Sequence, residues 1–349
     1  MKNKMQDNNN FEEKNLDVSF KTTTGMSVLK VRTLSAIILL ILLSLYVLTG
    51  ALYSYLPNSK NIEIASYFSI LMNIAVLSIS IFEINRALGF KKWYQQLILI
   101  SLNVILYFFP VSKDLYNFSF YRLLNMDNWF ATWQFTLLFP MIFLFYIILG
   151  LLDKSIGFKN TGINFVICLL ITFGIKAFTI TSLDLQRPYN TTPEYSFNTA
   201  VWIWLMIIFA DTFAYIGGVN LGKTPLAPKI SPKKTWEGAL IGLSSATVFG
   251  IIYSVIFLYL LPDFKPFNSA ISELQSRSGN NYTVIAFYVI FSLLFPIIGL
   301  FGDLLFSWVK RSANIKDFSK IIPGHGGFLD RMDSVILSFA VLFLIIVFV

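Results

Sequence analysis

Nine apolar runs, separated by polar segments, follow one another along the chain. Most of them have roughly the 17 to 25 residues that a helix needs to cross a bilayer. Because a backbone in lipid must satisfy its own hydrogen bonds, such runs predict helices rather than a barrel. The predicted spans are residues 33–56, 64–84, 95–112, 129–151, 161–183, 199–218, 239–261, 284–308 and 333–349. The sequence therefore predicts an all-α, polytopic membrane protein with about nine transmembrane helices.

The composition agrees with this pattern and excludes an ordinary soluble domain. Hydrophobic residues make up 56% of the 349 residues and charged residues only 13%, whereas about a quarter of a typical soluble domain is charged. The chain's one cysteine, Cys168, lies inside an apolar run, so an intrachain disulfide is excluded. The formal net charge of +8 favours anionic partners, although basic loops are usual in membrane proteins.

The positions of the basic residues orient the predicted spans. With the N-terminus inside, twenty of the 27 lysines and arginines fall on the inner side, six on the outer side and one, Lys176, within a span. Cytoplasmic loops carry such an excess of basic residues, so we expect a cytoplasmic N-terminus. The resulting division is a disordered tail, residues 1–32; N-terminal transmembrane helices, 33–198; and a C-terminal transmembrane catalytic region, 199–349, with cytoplasmic loops 219–238 and 309–332.

Ionisable residues within membrane spans are functional candidates by default. The four that matter here are Glu83, Lys176, Asp211 and Asp303. For Glu83 and Lys176, a structural ion pair or an interfacial position is at least as good an explanation. Asp211 differs because Tyr215 follows it at helical spacing and Gly217-Gly218 come next, where backbone could approach a ligand closely.

Charged residues are concentrated in one stretch, residues 303–334, which also contains the chain's single histidine, His325. One set of polar residues in it falls at i, i+4, i+7 and i+8, which is a single helical face. The members of this set are Asp303, Ser307, Lys310 and Arg311. We expect them to form a polar stripe that descends from the membrane to the cytoplasm.

These residue types together indicate phosphoryl or nucleotidyl transfer at the membrane surface. Carboxylates can hold Mg²⁺, which prefers oxygen ligands and often bridges phosphates. Lysine and arginine neutralise phosphates, and a glycine-rich backbone can approach an anion. A single histidine excludes a metal site built on histidines. A solvated loop and an anionic-lipid patch stay open as alternatives, and the basic residues of the 219–238 loop alone fit an ordinary cytoplasmic loop.

The same residues resemble the signature of the phosphatidate cytidylyltransferase (CDP-diacylglycerol synthase) family. The resemblance runs through Ser307-x-Val309-Lys310-Arg311, Lys316-Asp317-x-Ser319 and Ile322-Pro323-x-His325-Gly326-Gly327-Phe328-x-Asp330-Arg331-Met332-Asp333. Two further runs are similar to family motifs, namely Asp211-Thr-x-Ala-Tyr215 and Ser231-Pro-Lys-Lys-Thr-Trp-Glu-Gly238. One position departs, because the family often has a basic residue just after the glycine at Gly218, whereas Val219 follows here.

The resemblance implies that CTP and phosphatidate react to give CDP-diacylglycerol and pyrophosphate. It also implies Mg²⁺, with a monovalent cation such as K⁺ as an assisting ion, and its metal-binding acids correspond to Asp303 and Asp330. The candidate catalytic residues are Lys310, Arg311, Lys316, Asp317, His325, Arg331 and Asp333. The candidate substrate-binding residues are Asp211, Tyr215, Ser231, Lys233, Lys234, Thr235, Ser307, Gly326 and Gly327.

The residue chemistry agrees with this reaction. Phosphatidate is ionised near neutral pH and needs no general base, so the main barrier is the repulsion between two anions, which cations offset. Two rivals stay open: another CTP-using membrane enzyme, such as a lipid or polyprenol kinase or a CDP-archaeol synthase, and an anionic-lipid transporter. The expected partners are CTP, phosphatidate and the bilayer, without nucleic acid, and a homodimer stays open. The Lys-, Asn-, Ile- and Phe-rich composition indicates an AT-rich genome, and we expect a bacterial plasma membrane.

Overall fold

The computed structural model describes residues 37, 44–51, 60–109, 132–153, 156–183, 195–323 and 326–348. The predicted tail, residues 1–32, and most of the first predicted span lie outside these residues, although residues 44–51 are helical. The remaining helices are α1 Lys60–Ala87, α2 Trp93–Phe108, α3 Thr132–Leu152, α4 Gly157–Leu183, α5 Phe197–Leu221, α6 Trp236–Leu260, α7 Asn268–Ser278, α8 Tyr282–Ser312 and α9 Asp333–Phe348. Two short strands, β1 Pro225–Ala227 and β2 Ser231–Thr235, lie between α5 and α6.

The helices confirm an all-α membrane protein. Among the residues that the structure describes, five helices are long and apolar enough to cross a membrane: Tyr67–Ala87 within α1, and the whole of α4, α5, α6 and α8. Shorter apolar helices are α2, Leu137–Leu152 within α3, and Asp333–Val347 within α9. The total of nine spans and the cytoplasmic N-terminus stay predictions.

Two elements were not predicted from the hydrophobic pattern. Helix α7 is short and mostly polar, so it lacks the apolar run by which the other helices are recognised. The β1–β2 hairpin lies where only a stiff, basic loop was expected. Its prolines, which include Pro228 and Pro232, disfavour a helix there, and the strands instead pair with one another.

Helix α4 is the central helix and α6 the most peripheral of the five candidate spans. In α4, 72% of the apolar segment is buried inside the protein, whereas in α6 only 22% is buried. Against α4 lies α9, and a Cβ atom added at Gly174 would stand 2.6 Å from the Ile336 carbonyl oxygen. One hydrophobic cluster accordingly contains residues from both sides of the predicted boundary at residue 198, among them Leu77 and Phe306.

Buried polar residues connect the N-terminal helices. Asn103, which interrupts the third apolar run, donates to the Tyr146 hydroxyl (2.8 Å) and accepts a hydrogen bond from Thr172 (2.9 Å). Lys176 donates to the carbonyl oxygens of Leu106 (3.4 Å) and Phe109 at the end of α2. A cation at a helix C-terminus is electrostatically favourable, so Lys176 has a structural role as a helix cap.

The crossing of α5 and α6 sets the position of the hairpin between them. A Cβ atom at Gly242 would lie 2.4 Å from the Ala210 carbonyl oxygen, and one at Gly238 would lie 2.6 Å from that of Ala214. Small residues at such crossings let two helix backbones approach closely in a membrane. The hairpin therefore emerges from a tightly packed helix pair.

Candidate active site

The base of the hairpin is held by Glu237 in the first turn of α6. Its carboxylate accepts hydrogen bonds from the backbone N–H groups of Lys223 (3.1 Å) and Thr224 (3.1 Å) and from the Thr224 hydroxyl (2.8 Å). Thr235 caps α6 by accepting a hydrogen bond from the Gly238 N–H (3.2 Å). These contacts fix the strand that carries Ser231, Lys233 and Lys234, so the basic hairpin is an ordered structure.

Lys234 connects the hairpin to α8. Its ammonium group forms an ion pair with the Asp303 carboxylate, and both side chains are about three-quarters buried. Asp303 also accepts a hydrogen bond from Ser307, at 3.2 Å, as expected for neighbours one helical turn apart. The hairpin and the helix therefore meet at a partly buried, charged contact.

Arg311 makes a second connection between the same two elements. Helix α8 extends through Ser312, so Lys310 and Arg311 lie in its last turn. The Arg311 Nε atom donates to the Ile230 carbonyl oxygen (3.3 Å), and its Nη1 atom donates to that of Ile315 (3.3 Å). The Arg311 guanidinium group thus ties the hairpin turn to the end of α8.

Asp330 organises the segment between α8 and α9. Its Oδ1 atom accepts a hydrogen bond from Lys310 (2.8 Å), and this ion pair is mostly buried. Its Oδ2 atom accepts the backbone N–H groups of Phe318 (2.9 Å) and Gly327 (2.9 Å). The carboxylate predicted to bind metal therefore also connects the loop backbone to the catalytic candidate Lys310.

The glycines of this segment are used for backbone geometry. Gly326 has a φ of +87°, a backbone conformation that residues other than glycine rarely adopt. Its carbonyl oxygen accepts a hydrogen bond from the Ile322 N–H (2.9 Å). A Cβ atom at Gly327 would lie 3.0 Å from the Asp330 Oδ2 atom. His325 lies outside the described residues.

Three carboxylates come within electrostatic range of one another: Asp211 within α5, Asp303 within α8 and Asp333 at the start of α9. Lys234 offsets the charge of Asp211, and Lys310 that of Asp333. The buried Ser334 hydroxyl lies near this group and makes no hydrogen bond of normal geometry. Like charges are costly to hold together, so a further cation would stabilise this group.

The chemistry of these oxygen donors fits Mg²⁺, which takes a few carboxylate ligands and completes its shell with water and phosphate oxygens. Of the predicted metal ligands, Asp303 belongs to the carboxylate group, whereas Asp330 contacts Lys310 and the loop backbone. Across the described parts of the chain, no three acidic, histidine or cysteine side chains converge into a complete metal site. Water or substrate oxygens would complete a coordination shell of Mg²⁺ here.

The remaining predicted site residues surround this centre at the surface. Their side chains are exposed on the surface of the protein: Tyr215, Lys233, Lys316, Asp317 and Arg331. Exposure leaves them accessible to a bound substrate. The structure thus brings the predicted residues of α5, the hairpin, α8 and α9 to one end of the helices.

Sequence reasoning did not assign Glu83 to this site. Its carboxylate, on α1, accepts hydrogen bonds from the backbone N–H groups of Phe328 (2.9 Å) and Leu329 (2.7 Å). The only signal in the sequence was an acidic residue at the end of an apolar run. Its partners could not be identified, since they lie more than 230 residues away along the chain.

Comparison with known proteins identifies the family of this chain. A family model described as "Cytidylyltransferase family" matches residues 30–349. The chain is 35% identical over 206 residues to a phosphatidate cytidylyltransferase of Rickettsia typhi, covering 57% of this chain and 80% of the relative. It is 38% identical over 136 residues to one of Helicobacter pylori (39% of this chain, 42% of the relative), and 34% identical over 171 residues to one of Brucella abortus (49% and 53%). The chain belongs to the cytidylyltransferase family.

Proposed function

We propose that this protein transfers the cytidylyl group of CTP to phosphatidate, which gives CDP-diacylglycerol and pyrophosphate. In a chain of this family, the observation that carries the proposal is the pair of lysine–carboxylate contacts Lys234–Asp303 and Lys310–Asp330. Both lie near the polar ends of membrane-capable helices, where a soluble nucleotide and a lipid phosphate could meet. The similarity to bacterial phosphatidate cytidylyltransferases supports the same substrates.

The reaction needs charge neutralisation more than proton transfer. A phosphatidate oxygen attacks the α-phosphorus of CTP, a new P–O bond forms, and the bond to the β-phosphate bridging oxygen breaks as pyrophosphate leaves. Lys234 and Lys310 are already held in place by carboxylates, so they stabilise developing negative charge with little reorganisation. Exposed Lys316 and Arg331 lie on the same segment between α8 and α9 and can bind the phosphates of the incoming nucleotide.

Magnesium is part of the proposal. Asp303 and Asp330 are the predicted ligands, and Asp211 and Asp333 add oxygen donors within electrostatic range of Asp303. When bound, the ion would neutralise phosphate charge. An assisting monovalent cation and a role for His325 also stay proposals.

The membrane arrangement that suits these substrates has nine spans and a cytoplasmic N-terminus. The hairpin and the segment between α8 and α9 then face the cytoplasm, where CTP is present. The excess of basic residues on the inner side supports this orientation. Bacterial relatives favour a bacterial plasma membrane.

Activity of the purified protein in mixed micelles tests the proposal. CTP, phosphatidate and Mg²⁺ are supplied together and one at a time omitted, while pyrophosphate and the lipid product are measured. We expect CDP-diacylglycerol and pyrophosphate in equal amounts, only when all three are present, and loss of both on chelation of the metal. Formation of CDP with a phosphorylated lipid would instead show a kinase, and lipid flux in vesicles without CTP turnover would show a transporter.

A further inference from the structure

Glu83 lies near the C-terminal end of α1 and is only 1% exposed. Its hydrogen-bond partners come from the segment between α8 and α9. A buried carboxylate is costly unless hydrogen bonds satisfy it, so these contacts have to be maintained for the folded state to be stable.

The contacts of Glu83 use both carboxylate oxygens. The Oε1 atom accepts hydrogen bonds from the Ser319 hydroxyl and the Phe328 N–H (2.9 Å), and the Oε2 atom accepts the Leu329 N–H (2.7 Å). A Cβ atom at Gly327 would lie 2.9 Å from Oε2 and 3.0 Å from Oε1, so the close approach requires glycine there. Glu83 therefore touches both sides of the loop, at residue 319 and at residues 327–329.

The two backbone donors are the N–H groups of Phe328 and Leu329, which are the N-cap and the first residue of a short 3₁₀ helix, Leu329–Arg331. Such groups have no partner within their own helix and need an external acceptor. Glu83 supplies that acceptor from another helix of the bundle. The turn that it caps carries Asp330, which pairs with Lys310 on α8.

We propose that Glu83 is a positioning residue for cytidylyl transfer: by capping the 329–331 turn it holds Asp330 in place, and through Asp330 it sets the position of the Lys310 ammonium group. This inference rests on the proposed function. Glu83 acts through the loop and does not itself contact the substrates. Through this contact, α1 of the N-terminal half helps to position the site.

The contacts predict how two conservative substitutions differ. Each carboxylate oxygen of Glu83 accepts a backbone N–H, so in Glu83→Gln either orientation of the amide places its NH₂ group against a backbone donor. Glu83→Asp keeps both acceptors on a shorter side chain. We therefore expect the glutamine variant to be the more damaging, although it is the closer in shape.

Kinetics and hydrogen exchange on the purified full-length protein test the inference. Glu83→Gln should lower kcat by about 10- to 100-fold, the scale expected when reacting groups are misplaced, with a smaller effect on KM for CTP, and Glu83→Asp should recover part of the loss. The amides of Phe328 and Leu329 should exchange faster in Glu83→Gln than in the wild type. If that variant does not fold, Ser319→Ala, which removes one of three hydrogen bonds, should show the same changes to a lesser extent.

Asn85 provides the matched control on the same helix. It is fully buried and bonds to Gln96 (3.1 Å) and Asn164 (2.8 Å) in the N-terminal bundle. Asn85→Ala should lower the melting temperature while leaving kcat and exchange at residues 327–329 unchanged. Wild-type kcat in Glu83→Gln, or a loss equal to that of Asn85→Ala at the same melting temperature, would overturn the inference.

The exchange measurement separates this inference from the proposed function. A wild-type protein that makes no CDP-diacylglycerol would overturn the function. Faster exchange at Phe328 and Leu329 in Glu83→Gln would even then support the capping of the turn, and unchanged exchange would overturn it.

Discussion

The Lys234 ammonium group and the Asp303 carboxylate form an ion pair that joins the hairpin to α8. Two complete helices, α6 and α7, lie between these residues along the chain, and packing brings the residues together. The pair is only partly buried, so a phosphate oxygen can reach the lysine without a large rearrangement.

Substitution of either partner of this pair tests its role. We expect Asp303→Ala and Lys234→Ala each to lower turnover by about 100-fold or more, because preorganised charge at a reacting phosphate is lost. Lys229→Ala is the control, since Lys229 is an exposed lysine of the same hairpin. Turnover is measured in mixed micelles, and equal activities of the Lys234 and Lys229 variants would contradict the assignment.

Lys310 and Lys320 differ in their position relative to the site. Lys310 pairs with Asp330 in a mostly buried contact, whereas Lys320 is exposed. Lys310→Ala should therefore lose roughly 100-fold in turnover per folded molecule, and Asp330→Ala should lose activity as well. Lys320→Ala should retain most activity.

The free energy of unfolding of the Lys310 and Asp330 variants is measured as well. Removing one partner of a buried ion pair leaves the other unpaired, which lowers this free energy by about 3–5 kcal/mol. Equal effects of the two lysine substitutions on turnover would argue against the polar face of α8 as the site.

Two glycines of α4 provide a test of the helix packing. A Cβ atom at Gly174 would stand 2.6 Å from the Ile336 carbonyl oxygen on α9, whereas one at Gly162 would meet nothing within 4 Å. Gly174→Ala should lower the free energy of unfolding by about 1–3 kcal/mol through overpacking. Gly162→Ala should be neutral or stabilise by up to about 1 kcal/mol, because alanine favours helix more than glycine.

Thermal or denaturant unfolding in detergent measures both variants. A Gly174→Ala protein as stable as the Gly162→Ala protein would contradict the close contact between α4 and α9.

The predicted orientation can be tested with introduced cysteines. The native Cys168 is buried, so it gives little background labelling. We expect Lys229→Cys in the hairpin and Arg277→Cys in α7 to react with a membrane-impermeant maleimide from opposite sides of sealed vesicles. Labelling from the same side would show that the number of spans between them is wrong.

The sequence allowed the polar face of α8 to be predicted because its members are close along the chain. Asp303 and Ser307 are one helical turn apart and do contact one another. Helical geometry is local, so it can be derived from spacing alone. The partners of these residues could not be derived in this way. Arg311 contacts the hairpin turn, and Asp330 contacts Lys310 as well as the loop backbone.

Hydrophobic patterning by itself determined the class of the protein and the approximate positions of the helices, and the concentration of charged residues indicated the candidate stretch, residues 303–334. Helix positions in such a protein depend on the free energy of transferring each local segment into lipid. Each segment contributes to that free energy independently of the others. Tertiary structure alone decided which carboxylate meets which cation, the pairing of the hairpin strands, and the contact of Glu83 with a turn 245 residues further along the chain. Such contacts depend on how the helices pack in three dimensions. The spacing of residues along the chain does not specify that packing.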